Sequence, residues 1–279
     1  MFFTKKIYEI EKRESNPVNK MYLHELMLKL KHFEKLENEE FGEDKYKRIA
    51  EILNQFITAL SNKKYRYNPQ SNNGFRKDSH IFSSIYLDDI IHLLLKKEKI
   101  LKNPGITFDK KTFDFNIRFD PDNLMSIHKD NMLRFEKNVP MLQISQEIEI
   151  QYRVSGKRNY FKNKVALPIM IFVSSKNLTR ILFNSTIITA KRARQCFAKS
   201  KLIIVCETLD HGFYPSLNDT EIDSIFVLRK QFSGVGSKPI DPEILKQLDE
   251  RIHKLLLDVK PNINQLIKTG IINKRSNHA

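Results

Sequence analysis

An almost purely apolar run, Val165–Val173, constrains the fold of this chain more than any other feature. A strand with one face in solvent alternates apolar and polar residues, whereas a uniform run indicates a strand buried on both faces at the centre of a sheet. A second apolar run follows at 202–206, and helical spacing covers about 181–197 between the two runs. This order predicts an α/β fold with a mixed central sheet flanked by helices.

The periodicity of the remaining sequence predicts how the other elements are arranged. Strands are predicted at 113–119, 144–152 and 222–228, and helices at 20–60, 80–97 and 241–258. We therefore expect a mainly helical N-terminal part (1–100), an α/β domain (101–270) and a flexible tail (271–279). The boundary near residue 100 marks a change of sequence pattern, and the two parts on either side of it could still form one compact unit.

Positive charge is the first indication of function. The chain has 48 Lys and Arg against 33 Asp and Glu, a net charge of +15. No acidic residue occurs between Glu149 and Glu207. The cations in that stretch are Arg153, Lys157, Arg158, Lys162, Lys164, Lys176, Arg180, Lys191, Arg192, Arg194, Lys199 and Lys201. Because apolar strand and helix residues alternate with them, this is a folded basic surface of the kind that binds a phosphate backbone.

Cysteine, histidine and glycine usage excludes several classes of site. Two cysteines, Cys196 and Cys206, form no disulfide framework, so we expect a cytoplasmic protein. The sequence has no zinc-type spacing of cysteine or histidine, no glycine-rich phosphate loop and no apolar run long enough to span a membrane.

Lys176 comes just after the central apolar run, in Val173-Ser174-Ser175-Lys176. Metal-dependent nucleases of the PD-(D/E)xK type place an acid, any residue and a lysine at the end of such a strand. Residues i and i+2 of a strand share a face, so the acid and the lysine can both reach one phosphate. The acid position is occupied here by Ser174.

A longer segment, Val165–Lys230, resembles the catalytic half of the BbvCI-type type II restriction endonucleases. The matching residues are the strand ending at Lys176, then Thr189–Arg194, Ile203–Asp210 and Ile222–Gln231, with a weaker match at Phe75–Asp78. The resemblance covers about a quarter of the chain and agrees in order and spacing. It implies a restriction-endonuclease-like sheet and Mg²⁺-dependent hydrolysis of a phosphodiester.

The resemblance also implies candidate site residues. The catalytic set is Glu149, Ser174 and Lys176, with Glu149 and Asp88 as the Mg²⁺ ligands, and Asp89 as an alternative to Asp88. The family has glutamate where this chain has Ser174, so one metal-binding carboxylate is missing. Glu149 could instead be a surface acid, and Lys176 a phosphate anchor without catalysis. Glu207 and Asp210 are better explained as residues that brace the sheet or cap loops.

We therefore predict a type II restriction endonuclease, or one of its subunits, that recognises a short double-stranded DNA site. The DNA-binding residues are expected to be Arg158, Arg180, Lys191, Arg192 and Arg194. We expect a homodimer or a heterodimer with a paralogous subunit, and a cognate DNA methyltransferase as the partner of the system. The alternative is a catalytically inactive DNA-recognition subunit that pairs with an active paralogue. Binding to RNA or to an anionic membrane surface is less well supported, because neither stacking aromatic motifs nor an aromatic amphipathic face is evident.

Overall fold

The computed structural model describes residues 44–61, 86–119, 133–153, 160–236 and 238–258, together with separate positions between 8 and 28. The predicted DNA contact Arg158, the match at Phe75–Asp78 and the predicted tail 271–279 lie outside these residues.

The described strands form one five-stranded sheet and one two-stranded sheet. The strands are β1 (Ile106–Lys111), β2 (Asp114–Phe119), β3 (Leu133–Lys137), β4 (Met141–Tyr152), β5 (Phe161–Leu178), β6 (Lys201–Leu209) and β7 (Ser224–Val227). The larger sheet has the order β1-β4-β5-β6-β7. β1, β4 and β5 are antiparallel neighbours, whereas β5, β6 and β7 run parallel. β5 is thus the central strand, as its apolar run predicts.

Helices cover both faces of this sheet. They are α1 (Lys45–Ser61), α2 (86–95), α3 (Arg180–Cys196) and α4 (Pro242–Asp258). α3 begins directly after β5, where the hydroxyl of Thr179 accepts a hydrogen bond from the Leu182 amide at 3.2 Å and caps the helix. The predicted α/β class, with a mixed central sheet flanked by helices, is confirmed. None of the helices within the described ranges combines the length and the apolar character that crossing a bilayer requires.

Alternation along β5 divides the core between the two faces. Met170 and Phe172 face α1, α2 and α4, whereas Ile171 and Val173 face α3. On the first face, helical residues of the N-terminal part such as Leu53 pack into the same buried cluster as the sheet. The helical part and the sheet therefore share one hydrophobic core.

The smaller sheet corrects one detail of the sequence interpretation. A single strand was expected over 113–119, but Phe113 lies in the connection after β1 and only Asp114–Phe119 forms β2. The pairing of β2 with β3 is irregular between Phe115 and Arg118, and Asn116 has a φ of 51°. Asparagine tolerates this left-handed conformation better than most residues, which allows β2 to carry the irregularity at this position.

Candidate functional site

The carboxyl ends of the parallel strands β5, β6 and β7 meet at one edge of the sheet, where open α/β sheets commonly bind ligands. Ser174 and Lys176 lie at the end of β5, on the face that carries Met170 and Phe172. Ser174 pairs with Val205 on β6, which places Lys176 at the level of Glu207. We call this edge, together with Asp88 on α2, the β5 centre.

Asp88 is the carboxylate that the structure brings to Ser174. Its side chain is buried, and its Oδ2 lies 2.5 Å from the Nζ of Lys110 on β1. Burial raises the pKa of Asp88, while the Lys110 ammonium and the nearby Ser174 hydroxyl act in the opposite direction. The Ser174 Oγ is itself buried, and among the described residues it has no hydrogen-bond partner at ordinary geometry.

Glu149 does not belong to this group. It faces Lys164 in the β4–β5 register, ten positions before Ser174 along β5. At about 3.3 Å per residue, that separation is about 30 Å. Glu149 instead forms an ion pair with Lys162 at 3.4 Å, and its partners Gln151 and Lys162 lower the pKa of its exposed carboxyl. The predicted set of Glu149 with Ser174, Lys176 and Asp88 is therefore not assembled.

Within the described ranges, no other residue supplies the second carboxylate. Leu142 on β4 pairs with Phe172, and in an antiparallel register this places Pro140 level with Ser174. The residues around that position, Asn138 and Val139, are not acidic. Among the described residues, no three His, Cys, Asp or Glu side chains come together in a way that could hold a metal ion.

Glu207 is buried close to the β5 centre but is already engaged. Its Oε2 lies 3.0 Å from the Nε of Arg229, and Arg229 also donates to the Lys238 carbonyl at 3.2 Å. Burial raises the pKa of Tyr86 on α2 well above its usual range, and the Glu207 carboxylate beside it adds to the effect. Glu207 thus links β6 to the segment after β7, which is the bracing role expected from the sequence.

These residues do not fit Mg²⁺. The ion needs near-octahedral oxygen coordination and is usually held by at least one or two carboxylates that are free to bind it. Among the residues that the structure describes, the β5 centre offers one carboxylate without an arginine partner, Asp88, and its negative charge is already balanced by Lys110. Lys110 was not identified from the sequence, because only the folded β1–α2 contact brings it to Asp88.

The predicted DNA-binding residues are divided along α3. Arg180 lies at its first turn, next to the β5 centre, whereas Lys191 and Arg192 lie about 16 Å further along the helix. All three are exposed. Arg194 is different, since it is half-buried and forms ion pairs with Glu221 and Asp223. Arg194 therefore holds α3 to the segment before β7.

Spatial neighbours neutralise part of the basic stretch. Lys162 and Lys164 on β5 pair with Glu149 and Glu147 on β4, at 3.4 Å and 3.0 Å. Among the described residues, several cations of the stretch have no ion-pair partner. They are Lys176, Arg180, Lys191, Arg192 and Lys199. Within the described part of the stretch, the cations without ion-pair partners thus lie on α3 and near its two ends.

α3 also borders a cleft of about 700 Å³. The cleft lies between α3 and β2, and its lining residues are Phe115, Asn116, Ile188, Lys191, Arg192, Gln195 and Cys196. The guanidinium of Arg192 lies 4.7 Å from the centroid of the Phe115 ring, a cation–π contact that joins the helix to the smaller sheet. Burial raises the pKa of Cys196 to about 11. This cleft is on the opposite face of the large sheet from Asp88 and Ser174.

A solved structure of the native BbvCI A2B2 tetramer at low resolution is similar to this chain, with 18% sequence identity and a TM-score of 0.44. The alignment covers 84% of this chain and 97% of the other. No protein-family model matches the sequence. No curated protein matches it either.

Proposed function

We propose that this chain is a DNA-recognition subunit of the type II restriction endonuclease kind. In this proposal it binds double-stranded DNA along α3 and does not cut DNA itself. The observation that carries the proposal is the exposed surface of α3, where cations occur without acidic residues. The resemblance of Val165–Lys230 to the BbvCI-type enzymes supports the more specific assignment.

The composition of α3 suits a polyanion. The helix contains no Asp or Glu, and one side of it packs on the sheet through Phe183 and Ala190. α4, on the other face, provides the contrast, because Lys246 and Lys254 share that helix with four acidic residues. A surface of one sign concentrates an oppositely charged ligand, and neutralised phosphates release counterions on binding.

Polar and apolar side chains between the cations give α3 groups that could read base edges. Asn184 and Gln195 are exposed on the helix, and both residue types can form paired hydrogen bonds with adenine in the major groove. Ile181 is 83% exposed and Ile188 is 52% exposed. Apolar side chains of this kind can contact the methyl group of thymine. These residues favour a nucleic-acid duplex whose base edges can be contacted over a polyanion that is bound by charge alone.

The β5 centre supports a recognition role better than a cleaving role, because its residues do not fit Mg²⁺. A duplex cut on both strands would then require a paralogous subunit with an intact centre. We therefore propose a heterodimer on the cognate site, with a DNA methyltransferase as the system partner. Light scattering on cognate DNA should show two protein chains per duplex once that subunit is added.

The test of DNA binding compares two double variants with the same loss of charge. Arg180→Gln with Lys191→Gln removes two cations from α3, and Lys246→Gln with Lys254→Gln removes two from α4. We expect the wild-type affinity for duplex DNA to fall steeply with salt. In a plot of log affinity against log salt concentration, each phosphate contact should add about −0.9 to the slope. The α3 variant should lose affinity and have a shallower slope, while the α4 variant stays close to wild type.

Two outcomes would contradict the proposal. One is a wild-type affinity that does not change with salt, and the other is an equal loss in the α3 and α4 variants. A parallel titration with duplex RNA separates the DNA proposal from a general affinity for polyanions, since a DNA reader should prefer the B-form duplex.

A further inference from the structure

Lys110 lies beside Asp88 in the β5 centre, at the carboxylate that a divalent metal would bind in a metal-dependent centre. It is on β1, two residues after Phe108, and therefore on the same face of the sheet as Phe108. Phe108 packs on Phe172 with ring centroids 6.2 Å apart, which fixes the position of β1 relative to the end of β5. From this position the Lys110 ammonium reaches Asp88 at 2.5 Å.

We infer that Lys110 is the permanent cation of the β5 centre and takes the place of a divalent metal. The inference goes beyond the proposed function, because it concerns the chemistry of the centre and not the binding of DNA. It means that the folded chain balances the Asp88 charge with its own lysine and takes up no Mg²⁺ there.

The burial of the two partners shows why the lysine is needed. The Asp88 side chain is only 4% exposed, whereas that of Lys110 is 41% exposed. A buried carboxylate without a counter-charge is expensive, while a half-exposed ammonium keeps much of its hydration. The stability of the pair therefore depends on Asp88 having a cation, and a divalent ion could bind only after displacing Lys110.

The described residues around Asp88 also lack the further oxygen ligands that a metal would need after such a displacement. Ser174 contributes a neutral hydroxyl, and Glu207 is held by Arg229 at 3.0 Å. Pro140, which comes just before β4 and is level with Ser174 by extension of the β4–β5 register, has no side-chain oxygen. Because Asp88 would be the one free carboxylate in this part of the described structure, removing Lys110 alone should not create a strong metal site.

The first experiment measures the binding of Mn²⁺, which reports on oxygen-ligand sites through the electron paramagnetic resonance signal of the free ion. We expect the wild-type chain to bind no Mn²⁺ at millimolar concentration, and Ser174→Glu alone to bind it weakly. Combining Ser174→Glu with Lys110→Met should produce clear binding, because two carboxylates then face the same point without a resident cation. Ser174→Glu with Lys111→Met, which changes the next lysine on the opposite face of β1, should resemble Ser174→Glu alone.

Binding of Mn²⁺ by the wild-type chain that disappears in Asp88→Asn would overturn the inference. It would show that the ion displaces Lys110 from the carboxylate. DNA is absent from this measurement, so its result is separate from the success or failure of the proposed function.

The second experiment measures the thermal unfolding midpoint and remains informative if the combined variant folds poorly. Lys110→Met should lower the midpoint by several degrees, and Lys110→Arg should restore most of the loss because it returns a cation to Asp88. In an Asp88→Asn background, Lys110→Met should have little effect. A Lys110→Met midpoint equal to that of Lys111→Met would overturn the inference, since the ammonium would then be dispensable.

Discussion

Lys176 and Glu207 lie at the same level on neighbouring parallel strands, yet the lysine is exposed and the glutamate is buried against Arg229. Glu207 is paired with Arg229, while Lys176 has no ion-pair partner among the described residues. Neutralising Glu207 should therefore lower the stability of the fold much more than neutralising Lys176.

Glu207→Gln is expected to lower the free energy of unfolding by about 3 kcal/mol, because it leaves the Arg229 guanidinium buried without its counter-charge. Lys176→Gln should change it by less than about 0.5 kcal/mol, as most surface substitutions do. Urea unfolding followed by circular dichroism measures both. Equal stabilities of the two variants would show that the Glu207–Arg229 pair does not brace the sheet.

Arg194→Gln should lower the free energy of unfolding, whereas Lys191→Gln, three residues earlier, should leave it almost unchanged. Arg194 connects α3 to Glu221 and Asp223, and its side chain is about one-third exposed. We expect a loss of about 1 kcal/mol, reduced by this exposure, against almost none for Lys191→Gln. The same urea titration applies. A larger loss for Lys191→Gln would contradict the position of Arg194 as a structural contact.

Both thiols should react slowly at neutral and mildly alkaline pH. Burial raises the pKa of Cys196 to about 11 and that of Cys206 to about 12. Because the thiolate is the reactive form, the reactive fraction at pH 8 is on the order of one in a thousand or less. Labelling with a disulfide reagent should accelerate as the pH approaches 11 or when the chain is unfolded in urea. Fast labelling of the folded chain at pH 8 would show that these thiols are less protected.

The purified chain alone should not cleave DNA when Mg²⁺ is added. Conversion of supercoiled plasmid to the nicked form measures this sensitively, and Asp88→Ala serves as the control for contaminating nuclease. Cleavage by the wild-type chain that Asp88→Ala or Lys176→Ala abolishes would show that the β5 centre assembles a working metal site on DNA.

Strand β5 and helix α3 could be predicted from the sequence because each produces a pattern of apolar residues within its own length. The apolar run of β5 and the helical spacing of α3 reflect burial, which determines side-chain pattern over a few residues. The strand β1 was not predicted, since its pattern in Ile106–Lys111 is only half-buried and ends in charged residues. The position of β1 in the sheet depends on its pairing with β4, whose paired residues lie 30 to 40 positions later in the chain.

The candidate site could be predicted only in part for the same reason. Ser174 and Lys176 were identified by their position after an apolar strand, and Asp88 was proposed from the resemblance. Glu149 is far from Ser174 and Lys176 because β4 is antiparallel to β5. The register pairs Glu149 with Lys164, near the other end of β5. Lys110 gave no signal, because a lysine in an edge strand resembles any other exposed lysine until α2 is packed against it.

The shared core determines how this chain can unfold. Leu53 of α1 and Ile90 of α2 are buried in the same cluster as Phe172 and Val205 of the sheet and Leu248 of α4. Removing α1 and α2 would expose the apolar face of the sheet on which they pack, so the sheet depends on these helices for the burial of that face. Loss of α1 and α2 is therefore expected to destabilise the sheet, and on heating these helices and the sheet should unfold in the same transition because they share one core.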